Sequence, residues 1–205
     1  MYTGDEKHMS FQIINLSCPG CGQGVDTSQQ KCEWCGRPIV LSTFRSVYSL
    51  PVGSINKYAS SYRKALKEYP DSGVLNKSVA MCYLKLKMYD EAYSAFSKAI
   101  ENDMDDSETY LYAAVSVLKG KKAFLASRND INKCIELINA ALMIEPRGIY
   151  YYFLAYVKYD FYKRKSLSTS PDYRQCLETA KRLGVSKYDC NMLFDILSVD
   201  IPSVF

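Results

Sequence analysis

The chain has 205 residues, of which 48% are hydrophobic and 23% are charged, and this balance indicates a folded protein rather than a disordered one. Its 26 basic and 22 acidic residues leave a net charge of +4, which is too small to indicate a polyanion-binding protein. The longest apolar run, 149–157, is far shorter than the roughly 20 residues that a membrane helix needs. The first ten residues have no apolar core of the kind found in secretory signals, so we expect a cytoplasmic protein.

Four of the eight cysteines form two CxxC pairs near the start of the chain. The pairs are Cys18 with Cys21 and Cys32 with Cys35. A glycine follows each pair, at Gly22 and Gly36, and permits the tight turn that aims both sulfurs at one point. Four thiolates complete the closed tetrahedral shell of structural zinc, so we expect one Zn²⁺ with no position left for a reacting water. The alternatives are two disulfides or four unrelated thiols, which a reducing cytoplasm disfavours.

Residues 18–40 resemble the short prokaryotic zinc ribbons written CPxCG…CxxCG. The matching segments are Cys18-Pro19-Gly20-Cys21-Gly22 and Cys32-Glu33-Trp34-Cys35-Gly36, with apolar Val25 and Ile39. Two short β-like stretches, 11–14 and 39–41, flank these segments. The resemblance implies a metal site but no particular function, because such ribbons bind nucleic acid, protein or nothing. We assign residues 1–50 to this ribbon, whose folding free energy the metal supplies.

The charges of the ribbon argue against nucleic acid as its ligand. Residues 1–50 contain four basic and four acidic side chains, and four thiolates on one Zn²⁺ add a further negative charge. A ribbon that reads DNA or RNA is expected to be basic. Nucleic acid is therefore the less favoured partner.

Beyond a hinge predicted at 51–54, apolar residues recur at the helical period, and small residues return at fixed positions. The recurring sets are Tyr62, Ala65, Leu66 and Pro70; Ala80, Tyr83, Ala92, Phe96, Ala99 and Ile100; Ala114, Cys134, Ile138, Ala141, Leu142 and Pro146; and Ala155 and Cys176. They resemble the tetratricopeptide repeat (TPR) from about residue 57 to at least 184, with departures at 120–127 and 166–170. The resemblance implies a mostly α protein, a TPR-like helical-hairpin solenoid preceded by a small β zinc ribbon, with the repeats at 57–205.

Capping residues predict several helix boundaries. The predicted helices run over 91–103, 131–144, from 171 to Leu183, and about 186–197. The tail, 198–205, is apolar at its end and is expected to pack back onto the repeats.

Catalysis is not expected. The acidic stretch 103–108 lacks the glycine and the final glutamate that a calcium loop needs, and no glycine-rich phosphate loop occurs. The single histidine, His8, lies in the N-terminal tail, far from any nucleophile motif. We therefore interpret the protein as a non-enzyme.

The first helix of each repeat lines the inner face of a solenoid, and this places an aromatic stripe there. The residues predicted to contact a partner are Tyr112, Val115, Tyr152, Tyr156 and Tyr159. The alternative is that these aromatics simply pack between helices. We predict a non-enzymatic adaptor whose repeats bind a protein or peptide, with the ribbon as a second docking unit or a cap on the solenoid. The alternative is a nucleic-acid-binding or regulatory protein that uses the ribbon as its reader, and the oligomeric state is left open.

Overall fold

A computed structural model describes residues 13–205, apart from the side chain of Phe44. His8 and the start of the first predicted β-like stretch, residues 11 and 12, lie outside the described residues. The described chain begins with a small β unit and continues as a series of helices.

One short antiparallel pair of strands forms the ribbon. Strand β1 (Asn15–Ser17) pairs with β2 (Gly24–Asp26), and Leu16 lies opposite Val25. Leu16 and Val25 are buried while most of their neighbours face solvent, which is the period of two that a half-covered strand requires. Ile13 and Ile14, the described part of the first predicted β-like stretch, lie just before this strand, because the pairing starts at Asn15.

The second predicted β-like stretch, 39–41, does not form a strand. Pairing between the arms of the second knuckle is limited to a single bridge between Lys31 and Pro38. Ile39 and Leu41 are fully buried in the hydrophobic core, so their alternation reflects burial rather than strand pairing.

Helices account for the rest of the chain. They are α1 (Phe44–Tyr48), α2 (Val52–Ala65), α3 (Gly73–Lys85), α4 (Tyr89–Asn102), α5 (Ser107–Val117), α6 (Arg128–Ile144), α7 (Gly148–Val157), α8 (Tyr173–Arg182) and α9 (Lys187–Leu197). A single 3₁₀ turn, Ala123–Leu125, lies in the long α5–α6 connection, and α7 continues as a π-helix over Lys158–Lys163. Within residues 13–205, no helix is both long and apolar enough to cross a membrane.

Side-chain caps fix the starts of several helices. Ser72, Asp106, Ser127 and Ser186 each accept a hydrogen bond from a backbone N–H in the first turn of α3, α5, α6 and α9. Asp172 and Gln175 form a reciprocal capping box at α8. Because Ser127 caps α6, that helix begins three residues before the predicted start at 131.

Successive helices pack as pairs: α3 with α4, α5 with α6, and α7 with α8, and the pairs stack on one another. Small residues bring the paired helices together. At Gly148 in α7, an added Cβ would lie 2.9 Å from the carbonyl oxygen of Ala180 in α8, so this position needs glycine. The architecture is therefore a helical-hairpin solenoid preceded by a small β ribbon.

The ribbon packs directly against α2, and the hinge predicted at 51–54 is part of that helix and its N-cap. The predicted hinge residues Val52 to Ser54 form the first turn of α2, directly after Pro51 in extended conformation. Tyr58 and Tyr62 donate hydrogen bonds to the carbonyl oxygens of Pro38 and Ile39, at 2.8 and 2.6 Å. Ribbon and repeats also share one hydrophobic core, so the ribbon covers the first helix of the stack.

The last helix returns across the stack. Helix α9 packs on α5 and α7, and its buried residues Leu193 and Phe194 face them. The hydroxyl of Tyr48 in α1 donates to the carboxylate of Asp195 at 3.1 Å, so α9 also contacts the segment that precedes the repeats. The tail follows it and packs Phe205 against aromatic side chains of α7, which confirms the prediction that it packs back.

Candidate metal centre

The four knuckle cysteines lie together, with their sulfur atoms all within 4.8 Å of one another. The Sγ atoms of Cys18 and Cys35 are 3.7 Å apart, and those of Cys21 and Cys32 are also 3.7 Å apart. Four sulfurs at about 2.3 Å from a tetrahedral Zn²⁺ would be separated by about 3.8 Å. All eight cysteines of the chain are free thiols, so the cluster is not a pair of disulfides. The residues present therefore fit a four-sulfur metal site.

Each knuckle is a tight turn closed by a backbone hydrogen bond. The N–H of Gly22 donates to the carbonyl of Cys18 at 2.9 Å, and the N–H of Gly36 donates to that of Cys32 at 2.8 Å. Both glycines have positive φ angles, +84° and +68°, which a side chain would disfavour. The two glycines singled out in the sequence thus set the shape of the sulfur cluster.

A third glycine matters for a different reason. An added Cβ at Gly20 would lie 2.6 Å from Cδ of Arg37 and 3.0 Å from Sγ of Cys35. Its N–H also donates to Sγ of Cys18 at 3.3 Å. Gly20 therefore lets the first knuckle approach the second, a constraint between distant parts of the sequence that local spacing does not reveal.

The sulfurs differ in acidity. Burial raises the pKa of Cys18, but the N–H groups of Cys21 and Gly20 and hydrogen bonds from neighbouring thiols outweigh it and lower that pKa to about 7. The N–H of Arg37 lowers the pKa of Cys35, whereas desolvation and the hydrogen bonds to the other sulfurs raise it to about 11. Cys18 is thus more acidic than Cys35, and a bound metal would displace the protons of the thiols that coordinate it.

The tip of the second knuckle carries an exposed aromatic side chain. Trp34 lies between Cys32 and Cys35 and is 74% exposed. A side chain of this size is usually covered in a folded protein, and tryptophan is enriched at the centres of protein interfaces. The turn that presents Trp34 lies between two cysteines of the four-sulfur cluster.

The predicted partner stripe is mostly buried, which favours the alternative that these aromatic residues pack between helices. Tyr112, Val115, Tyr152 and Tyr156 are each at most 5% exposed, and Tyr159 is half-buried.

Residues from the end of the chain cover the stripe. The ring of Phe194 in α9 lies 5.0 Å from that of Tyr156 and 6.2 Å from that of Tyr152. The ring of Phe205 lies 5.4 Å from Tyr152 and 5.7 Å from Tyr159. The aromatic face of α7 is therefore filled by the chain's own last helix and tail, which is the packing alternative.

Two buried charged residues were missed by the sequence reasoning. Asp160 accepts a hydrogen bond from the N–H of Phe124 at 2.7 Å and pairs with Arg164, which ties the 3₁₀ turn to the π-helix. Lys158 is 4% exposed and donates to the carbonyl oxygen of Pro171 at 2.5 Å. Neither follows a sequence motif, because Phe124 and Pro171, whose backbone groups they bind, lie on other segments of the chain.

The remaining cysteines, Cys82, Cys134, Cys176 and Cys190, are buried apart from the cluster. Burial raises the pKa of Cys82 to about 12 and raises those of the other three thiols. Among the described residues, only the four knuckle cysteines form a group that could hold a metal.

No family model and no curated protein matches the sequence. Among solved structures, the chain is similar to "MamA RS-1 ArsTM double mutant", with 16% identity and a TM-score of 0.54 over 68% of this chain and 70% of that one. It is also similar to "MamA MSR-1 C2", with 15% identity and a TM-score of 0.48 over 74% of this chain and 72% of that one. The first likeness supports the fold alone, and the chain has a TPR-like helical solenoid.

Proposed function

We propose that this protein is a non-enzymatic scaffold that binds a partner protein or peptide and uses its metal-held ribbon as a docking unit. The observation that carries the proposal is Trp34, which is 74% exposed on a turn between two cysteines of the four-sulfur cluster. A few buried aromatic side chains supply most of the binding energy of a protein interface. A side chain on a turn that is already rigid also loses little freedom when it binds.

The firm attachment of the ribbon supports this role. Ser61 donates to the carbonyl oxygen of Ser17 at 2.5 Å, beside the two tyrosine hydrogen bonds to Pro38 and Ile39. The ribbon is therefore fixed relative to the solenoid, so Trp34 is presented from a surface that does not move with respect to the repeats. The aromatic stripe of α5 and α7 takes no part in this proposal, because α9 covers it.

Zn²⁺ is the metal that the cluster would hold. Its donor set is four soft thiolates at the separations that tetrahedral coordination needs, and all four positions are protein ligands. Bound there, the metal would supply folding energy to the ribbon rather than chemistry. Metal analysis of protein purified without added metal tests this: we expect one zinc per chain, and iron or quantitative disulfides would contradict it.

We further propose that the protein has no intrinsic catalytic activity and lies in the cytoplasm. The four isolated thiols are buried with raised pKa values, which makes them poor nucleophiles, and Lys158 and Asp160 are engaged in contacts between loops. Free thiols beside a thiolate metal site suit a reducing compartment. A turnover that survives repurification and is lost on Asp160→Asn would contradict the first statement.

The experiment for the scaffold function is affinity capture from the protein's own cells with and without nuclease. We expect the wild-type chain to capture a protein partner that stays bound after nuclease treatment. The Trp34→Ala variant should not capture this partner. The matched control is Met143→Ala on α6, which truncates a side chain that is 88% exposed and should leave capture unchanged. Loss of all captured protein on nuclease treatment would favour nucleic acid as the ligand.

A further inference from the structure

A groove of about 960 Å³ lies where the ribbon meets the repeats. The ribbon contributes Ile13 and Val40, and the repeats contribute the start of α3 and the loop between α4 and α5. Its size is at the upper end of the roughly 300–1,000 Å³ typical of binding clefts. Because ribbon and repeats share a core, the two walls are held in place by the fold.

Exposed apolar side chains gather along this groove. Ile13 is 62% exposed, Met104 is 69% exposed and Val74 is 42% exposed, and all three line it. They come from the ribbon, the α4–α5 loop and α3, three segments that are distant in sequence. Single exposed apolar residues are ordinary, but a group of them lining one groove offers a surface for an apolar side chain.

The groove is strongly acidic although the chain as a whole carries a net charge of +4. Its lining includes the carboxylates Asp71, Glu101, Asp103, Asp105 and Asp106 and a single cation, Lys77. Lys77 forms an ion pair with Asp106. Within residues 13–205, the other four carboxylates have no ion-pair partner.

The carboxylates of the groove also affect the pKa of a nearby phenol, that of Tyr110. Burial raises the pKa of Tyr110, and the charges of Asp105 and Asp103 raise it further. Glu101, Asp103 and Asp105 are exposed, so a ligand can reach their carboxylates. The groove thus combines apolar walls with uncompensated negative charge.

We propose that this groove binds an extended segment of a partner protein that carries lysine or arginine side chains around an apolar residue. The apolar side chain would lie between Ile13 and Met104, and the basic side chains would pair with Glu101 and Asp105. The proposal rests on the proposed scaffold function and names the chemistry of the partner. The chain's own first 12 residues carry two acids and one lysine, so their charge does not complement the groove.

A binding assay on the full chain with metal bound tests the proposal. The probe is a fluorescein-labelled peptide with two lysines on each side of a central leucine, and its matched control has glutamate in place of lysine. Fluorescence anisotropy at low salt should detect the lysine peptide but not the glutamate peptide, and added salt should weaken the binding. We expect Glu101→Lys/Asp105→Lys to raise the Kd at least tenfold, and Met104→Ser to raise it several-fold.

The matched control is Glu178→Lys/Asp200→Lys, which makes the same change of net charge at two exposed positions outside the groove lining. If both double variants weaken binding equally, or if the wild-type chain does not bind, the proposal is wrong. If binding appears only in a chain that starts at residue 13, the groove is occupied by the chain's own N-terminal segment and the proposal is also wrong. If capture of a partner depends on Trp34 but not on Glu101 and Asp105, the scaffold function is supported and the groove is not its binding site.

Discussion

The phenol of Tyr62 in α2 donates a 2.6 Å hydrogen bond to the carbonyl oxygen of Ile39, and both residues are fully buried. This bond joins the first repeat helix to the second knuckle of the ribbon. The ribbon is therefore part of the same folded body as the repeats, although it is small.

Tyr62→Phe should destabilise the protein by about 1–3 kcal/mol, because the buried carbonyl of Ile39 loses its partner while the ring stays in place. Urea unfolding of the metal-bound protein measures this change. The control is Tyr93→Phe, which removes a phenol that is only partly buried, and should change stability by no more than about 0.5 kcal/mol. Equal effects of the two substitutions would show that the Tyr62 bond contributes nothing specific.

Removing the metal should change the fluorescence of Trp34, the single tryptophan of the chain. The intensity should change more than the emission wavelength, because the side chain is already 74% exposed. Circular dichroism near room temperature should retain most of its helical signal, since the paired helices have their own core. The melting temperature should nevertheless fall, because a ligand that binds only the folded state stabilises it. Collapse of the helical signal on chelation would show that the repeats depend on the ribbon to fold.

Tyr156→Ala should destabilise the fold by about 3–5 kcal/mol, as expected for a large side chain removed from a core. The ring is 1% exposed and packs on Phe194, and its hydroxyl accepts a hydrogen bond from the N–H of Ala123 at 3.3 Å. Tyr188→Ala on the outer side of α9 is the control, since Tyr188 is 53% exposed. An unchanged melting temperature with loss of the partner would instead restore the stripe as a binding surface.

Asp106→Ala should cost about 1 kcal/mol near neutral pH, because Asp106 caps α5 and pairs with Lys77. Burial raises the pKa of Asp106, but hydrogen bonds from Lys77 and Thr109 outweigh it and hold the pKa below its usual value. A lowered folded-state pKa stabilises the protein above the unfolded pKa of about 4, and this contribution is lost as the pH falls through the folded value.

The difference in stability between wild type and Asp106→Ala should therefore shrink as the pH falls below about 4. Unfolding curves across this range measure it, with the exposed Asp200→Ala as control. A difference that stays constant with pH would mean that the capping geometry, and not the ionised carboxylate, accounts for the effect.

The features of the fold that depend on residues close together in sequence could be predicted from the sequence. The four cysteines could be recognised because each knuckle is a turn within a few residues, and the helix pairs could be recognised from their apolar period. The fold class, a TPR-like solenoid with a small β ribbon, was therefore predicted correctly.

The features of the fold that depend on contacts between residues distant in sequence could not be predicted from the sequence. Apolar periodicity marks the buried face of α7 but does not say what covers it, and Phe194 and Phe205 return from the end of the chain to do so. Ile39 and Leu41 alternate like a strand because α2 buries them. Gly20 is constrained by Arg37 across the cluster, a contact visible only once both knuckles are in place.

If the ribbon presents the partner-binding surface only while it holds its metal, capture of the partner should depend on Zn²⁺. We would measure the amount of partner captured by the full chain before chelation, after chelation and after Zn²⁺ is restored, with helical circular dichroism recorded on the same samples. Capture should be lost on chelation and recovered with Zn²⁺, while the helical signal persists. Capture that is indifferent to chelation, with the metal shown to be gone, would contradict this prediction.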